Sequence, residues 1–168
     1  IDKHVIRHAA PQVRAEGLPS VPLSIPAGAT FTVLVEEANV TPEMDKGSSV
    51  NTLIYTWTQP VVYGSIEDIK RDLNAPILKD GTPNPFHGMV GVRDTISKAV
   101  GANVLFVEAS KAVHWESKLT IPENQPSDPM AKALGFAPGA NQFRPVGGFR
   151  NISAWSLWPG ATILLVGG

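Results

Sequence analysis

The chain contains no cysteine. That absence excludes disulfides, thiolate nucleophiles, Cys-ligated zinc and thiolate-held iron–sulfur clusters, whichever compartment the protein occupies. A dominant charge of one sign is also missing: 14 Lys and Arg against 15 Asp and Glu leave a formal net charge of -1. No strong positive field is available for a polyanion, so nucleic-acid binding is not expected. The apolar tail from Ala161 to Gly168 is far shorter than the roughly 20 residues that a membrane helix needs, and it reads as a terminal strand with no membrane span. The chain has no Gly-rich nucleotide loop after a strand, no G-x-S-x-G elbow and no H-E-x-x-H helix. Several large enzyme classes therefore lack their mechanical parts, and no cofactor is expected.

What the chain has in excess is Gly and Pro, 15 of each in 168 residues. Together they make about 18% of the chain against an ordinary usage of about 12%, and without a three-residue period, which excludes collagen and disfavours long helices. The length suits one globular domain over 1–168, with residues 1–16 as a short N-terminal extension. The start at Ile1 rather than Met is expected of a processed chain or a fragment. Asn39-Val-Thr41 and Asn151-Ile-Ser153 have the form of glycosylation acceptors.

The expected fold is mainly β with short helices (α+β): an antiparallel sheet or a β-sandwich-like arrangement with long Pro- and Gly-rich loops. Strands are expected at Ala29–Glu36 and Ala102–Glu108, and Asn51–Tyr63 has strand character with Leu53, Tyr55, Trp57 and Gln59 on one face and Pro60 as a bulge or edge. TVLVEEA at 32–38 and NVLFVEA at 103–109 echo one another, as two buried strands ending in Glu would. Val5, Ile6, Ala9, Ala10 and Val13 place an apolar stripe on a short, kinked helix that Pro11 interrupts. A helix is expected from Ser65, with Asp68 at first-turn spacing, Ile66, Ile69, Lys70 and Leu73 along it, and Pro76 as its stop. Lys79–Gly91 reads as a surface loop or a compact turn array, Val92–Val100 as a strand or short helix, and Met130–Leu134 as one helical turn in a loop-rich stretch.

Two sets of side chains carry candidate chemistry. Glu108, His114 and Glu116 supply carboxylate and imidazole groups, and on a strand His114 and Glu116 share a face; such groups bind metal or move protons if an orienting partner is present. Trp57, Trp115, Trp155 and Trp158 offer broad aromatic faces suited to a sugar or small ligand if two or more line an open groove. Core packing is the default for most of these rings. His87, between Phe86 and Gly88, is expected to stabilise a turn.

Gly81-Thr-Pro-Asn-Pro-Phe-His-Gly-Met-Val-Gly-Val-Arg93, then Asn103-Val-Leu-Phe-Val-Glu-Ala109 and Ala112-Val-His-Trp115, resemble the later half of a large planctomycete family of secreted, pilin-like proteins. In that family an Asn-Thr-x-x-x-Val-Glu-Ala strand precedes an Ala-Val-Pro-Trp segment and a Pro- and Asp-containing loop. The match runs over residues 81–135. The resemblance implies a precursor with a prepilin-type methylation signal and a hydrophobic helix, and an extracellular or cell-surface domain within a surface or secretion-related assembly. It supplies no catalytic residues: Glu108, His114 and Trp115 are markers of the resemblance. The family's closing Asp-Gly is replaced here by Gly147-Gly148 after Phe136–Phe143.

Three functions stay open on these observations. The first is a noncatalytic structural subunit that forms a homo-oligomer or docks with other assembly subunits. The second is a carbohydrate- or small-ligand-binding β domain built on the tryptophans. The third is a metal-dependent enzyme using Glu108, His114 and Glu116.

Overall fold

The computed structural model describes residues 11–38, 48–110, 118–122 and 130–137. Among these residues are eight strands, the longer ones rich in β-branched side chains: β1 (Gln12–Arg14), β2 (Leu23–Ile25), β3 (Thr30–Ala38), β4 (Ser48–Thr56), β5 (Val61–Tyr63), β6 (Val90–Ser97), β7 (Ala102–Ala109) and β8 (Lys118–Thr120). Helix α1 (Ile66–Asn74) follows β5, and the four-residue α2 (Met130–Ala133) follows β8. The strands make three separate antiparallel sheets, ordered β1-β7-β6, β2-β5 and β4-β3-β8, with no closed barrel among the described residues. All three feed one apolar core, in which Val13, Val92 and Val107 of the first sheet join Ile25 and Tyr63 of the second and Phe31, Val33 and Leu119 of the third.

The echo between 32–38 and 103–109 has a structural cause. Those segments lie in β3 and β7, the central strands of the two three-stranded sheets. A central strand is paired on both edges, so a run of Val, Leu and Phe with a polar exit suits both positions. β7 buries consecutive side chains from Val104 to Val107, whereas edge strand β4 alternates, with Leu53 and Tyr55 inward and Thr52 and Ile54 outward.

Helix α1 forms where its signals stand. The Ser65 hydroxyl accepts the Asp68 backbone N–H at 3.3 Å and donates to its carboxylate at 3.0 Å, Glu67 and Asp68 lie at the positive end of the dipole, and Ile69 and Leu73 face the core. The helix ends at Asn74, with Ala75 extended ahead of Pro76.

Three expectations change. Val13 belongs to β1 rather than to a helix: Pro11 interrupts a helical path, and Gln12–Arg14 takes the free edge of β7 in register with Phe106–Glu108. The rest of that stripe, residues 1–10, lies outside the described residues. The stretch 51–63 is two strands, since after Trp57 the chain turns through Thr58–Pro60 and β5 pairs with β2 in a different sheet. Of the two readings of 79–91 the structure has the compact turn array, and not a loop confined to the surface. Turns with positive φ at Gly81 and Gly88 bracket Asn84 and Phe86, which are buried, and Phe86 meets the rings of Phe31 and Tyr55 at 5.7 Å. No helix among the described residues is long and apolar enough to cross a membrane.

Candidate functional site

Helix α1 organises the polar groups on both of its flanks. On one side, alternation along β4 and its exit brings Tyr55 and Trp57 inward, edge to face at 4.8 Å. Trp57 is 3% exposed and its indole N–H donates to the Tyr63 hydroxyl at 2.8 Å. The Tyr63 hydroxyl donates in turn to Asp72 Oδ2 at 3.0 Å, and the Tyr55 hydroxyl reaches the Asp72 carbonyl at 3.4 Å. Lys79 Nζ lies 3.3 Å from the same Asp72 oxygen, at the solvent end of the chain of bonds. Burial, then the Asp72 carboxylate, pushes the Tyr55 phenol up to about 12, and burial raises Tyr63 further still. Both phenols are therefore neutral donors at physiological pH, not proton acceptors.

On the other side, α1 and β6 bound an open groove of about 430 Å³ lined by Glu67, Lys70, Arg71, Asn74, Val92, Arg93 and Asp94. Lys70 Nζ lies 2.6 Å from both Asp94 and Glu67, and the other Asp94 oxygen accepts from Asn103 at 2.9 Å. The bonds to Asp94 and Glu67 hold the Lys70 ammonium above its ordinary range. The Asp94 pair ties Lys70 on the helix to β6. Asn74 spans the edge of β6, its Nδ2 donating to the Val92 carbonyl at 2.7 Å and its Oδ1 accepting the Val92 N–H at 2.8 Å. Arg71 pairs with Asp68 at 2.9 Å, and Arg93 lies 4.0 Å from Glu108. The polar groups of this groove are thus bonded to one another or to neighbouring residues.

Against this geometry the expected site residues separate. Trp57 is enclosed in the core and presents no open face to a ligand. Glu108 lies on β7 with its side chain toward Arg93, while His114, Trp115, Glu116, Trp155 and Trp158 lie outside the described residues. Among the described residues no group of three or more His, Asp or Glu side chains is placed to hold a metal ion. His87 is exposed in its turn, its backbone N–H bonded to the Asn84 carbonyl at 3.1 Å. The two acids nearest it in the sequence are committed elsewhere, Asp94 to Lys70 and Asp80 to Thr82.

Tyr63, Asp72, Asn74 and Asn84 carry the internal polar chemistry, and sequence patterning does not single them out. Asp72 and Asn74 sit in the last turn of α1, where a helical pattern marks them as solvent-facing; their partners come from β5, β6 and the 79–91 turns. Comparison of the chain with protein-family models, curated proteins and solved structures finds no match.

Proposed function

We propose that the protein is a noncatalytic structural domain of an exported surface or secretion-related assembly, and that it self-associates there. The observation that carries this is the apolar surface of its strands. Val50 and Ile54 on β4 are 56% and 42% exposed, and Val62 on β5 is 66% exposed. β-Branched side chains lined along a strand in this way suit burial against another subunit. The polar groups support the same conclusion, since the carboxylates, amides and phenols around α1 are spent on intrachain bonds. Export rests on the resemblance of residues 81–135 to secreted pilin-like proteins.

Native mass measurement over about a hundredfold range of concentration tests self-association. Concentration-dependent oligomers are expected, and a monomer throughout overturns the assignment. Surface-restricted labelling of intact source cells tests export: the protein is expected to be labelled, and protection until lysis overturns that part.

A further inference from the structure

We propose that β4 pairs edge to edge with β4 of a second copy of the chain, antiparallel and centred on Thr52. The inference rests on the self-association proposed above and names its surface.

The free edge of β4 can be phased from its far end. Trp57 donates its N–H to the Ala29 carbonyl at 2.9 Å and accepts the Gly28 N–H at 2.7 Å, so both its backbone groups face β3. Antiparallel ladders alternate, which turns the backbone groups of Asn51, Leu53 and Tyr55 toward β3 and those of Val50, Thr52, Ile54 and Thr56 away from it. Among the described residues β4 is the outer strand of its sheet, and none of them bonds these outward groups. The side chains of Val50, Thr52 and Ile54 are exposed as well, so this strand presents a β-branched face and an edge that no described residue pairs.

The other edges are closed or brief. On β6 the Asn74 amide occupies the Val92 backbone groups, and the Lys70–Asp94 pair stands beside them. β1 and β8 are three residues long, and Pro26 and Pro60 flank the short β2-β5 ribbon. These are ordinary devices against unwanted strand pairing. β4 has none of them: it is nine residues long, no charged residue occurs from Gly47 to Ile66, and no proline lies between Gly47 and Pro60.

A second copy is the occupant that this strand fits. An uncharged strand gives a charged partner nothing to recognise, but it meets its own copy without repulsion. The register follows from geometry: Thr52 is the midpoint of Ser48–Thr56 and its backbone groups point outward, so a two-fold axis there engages the whole strand. Thr52 then faces the partner's Thr52, Val50 faces the partner's Ile54 and Ile54 faces the partner's Val50. These are Thr–Thr and aliphatic cross-strand pairs, the kinds that stabilise antiparallel sheets. The sheet would run β8-β3-β4 continuously into β4-β3-β8 of the second copy.

The absence of native cysteine makes the register testable. Directly opposed hydrogen-bonded residues lie about 5.5 Å apart between Cα atoms, within disulfide range. Under mild oxidation Thr52→Cys is expected to give a covalent dimer. Val50→Cys and Ile54→Cys are each expected to stay unlinked alone and to link when mixed. Thr52→Pro removes an outward N–H while sparing the β3 ladder, and is expected to abolish the dimer with an unchanged circular dichroism spectrum. Ile54→Lys, a change at an exposed side chain, guards against misfolding of the proline variant and is expected to weaken the dimer about tenfold or more. Oligomers that survive both substitutions, with no Thr52→Cys link, overturn β4 pairing but leave self-association standing. A thiol at position 52 that links only to a different protein overturns the second copy as occupant, and a monomer at every concentration overturns both proposals.

Discussion

The Tyr63 hydroxyl stands between Trp57 and Asp72, accepting from the indole at 2.8 Å and donating to the Asp72 carboxylate at 3.0 Å. One phenol thus joins the exit of β4, the short strand β5 and the last turn of α1. Trp57 is buried and its indole has a single N–H to satisfy, so without Tyr63 it would bury an unpaired donor. The bond also fixes the direction of the chain after the Thr58–Pro60 turn, where β5 leaves the third sheet for the second. Folding, rather than ligand capture, is what this tryptophan serves.

Tyr63→Phe keeps the ring and removes both bonds. The buried indole N–H loses its acceptor and Asp72 loses a donor, so a loss of about 1–3 kcal/mol is expected in urea unfolding. Trp57→Phe should recover part of that loss when combined with Tyr63→Phe, because the orphaned donor goes with it. Additive losses in the double variant would show that the two groups do not act through one bond.

The chain has two tyrosines, and both resist ionisation. Burial, followed by the Asp72 charge, raises Tyr55 to about 12, and burial raises Tyr63 further. A phenol that binds its proton more tightly when folded contributes stability in full below the unfolded value near 10, and that contribution declines as pH rises toward the folded value. Lys70, raised by Asp94 and Glu67, acts in the same direction at alkaline pH. Stability is therefore expected to fall from about pH 10 upward. Tyrosinate absorbance should be nearly absent at pH 10 in the folded protein and appear for both residues in denaturant, whereas half-ionised tyrosine at pH 10 in the folded state would contradict the burial.

Local signals account for the parts of this fold that sequence patterning foresees. Ser65 and Asp68 mark the start of α1, Pro76 its stop, and the alternation of Leu53, Tyr55 and Trp57 the inward face of β4 and its exit. Each depends on residues within a few positions of one another. Val13 escapes such reading because three residues of strand carry no periodicity of their own, and only the edge of β7, far along the chain, makes them a strand. The same holds for the polar network. Asp72 is one more acid on a short helix until β5 brings Tyr63 to it, and nothing local to Asn84 shows that its amide will turn inward.

Asn84 is the internal fastener of the 79–91 turns. It is 4% exposed, and its Nδ2 donates to the carbonyls of Leu73 at 2.9 Å and Ala75 at 2.7 Å, satisfying the end of α1, while its Oδ1 accepts the Phe86 N–H at 2.9 Å. Asn84→Ala leaves three backbone groups without partners and is expected to cost about 2–4 kcal/mol. Asn84→Asp is isosteric but cannot donate, and it sets a carboxylate against two carbonyls, so it should be at least as damaging at neutral pH. Thermal unfolding of both variants checks this, and an Asn84→Asp protein as stable as the parent would show that the amide donors are dispensable.

Gly135 should be the least replaceable glycine among those described. It follows α2 with φ of +93°, and its carbonyl accepts the N–H groups of Glu16 at 3.0 Å and Gly17 at 3.1 Å, which docks the α2 turn on the chain leaving β1. A methyl group here would collide with the Gly17 carbonyl oxygen and stand 2.8 Å from its carbon, both of them backbone atoms that no rotamer change can move aside. Gly28 and Gly81 also have positive φ but have nothing within 4 Å of the same added atom. Gly28→Ala and Gly81→Ala therefore carry the backbone penalty alone, about 1–2 kcal/mol each. Gly135→Ala adds a steric clash that can be relieved only by moving Phe136 or Leu134, both fully buried, or the strand-exit segment itself. It is expected to lose at least about 3 kcal/mol, roughly twice the loss of the other two. Parallel urea titrations of the three alanine variants measure that ranking, and equal losses would show that the contact between residues 17 and 135 does not constrain the fold.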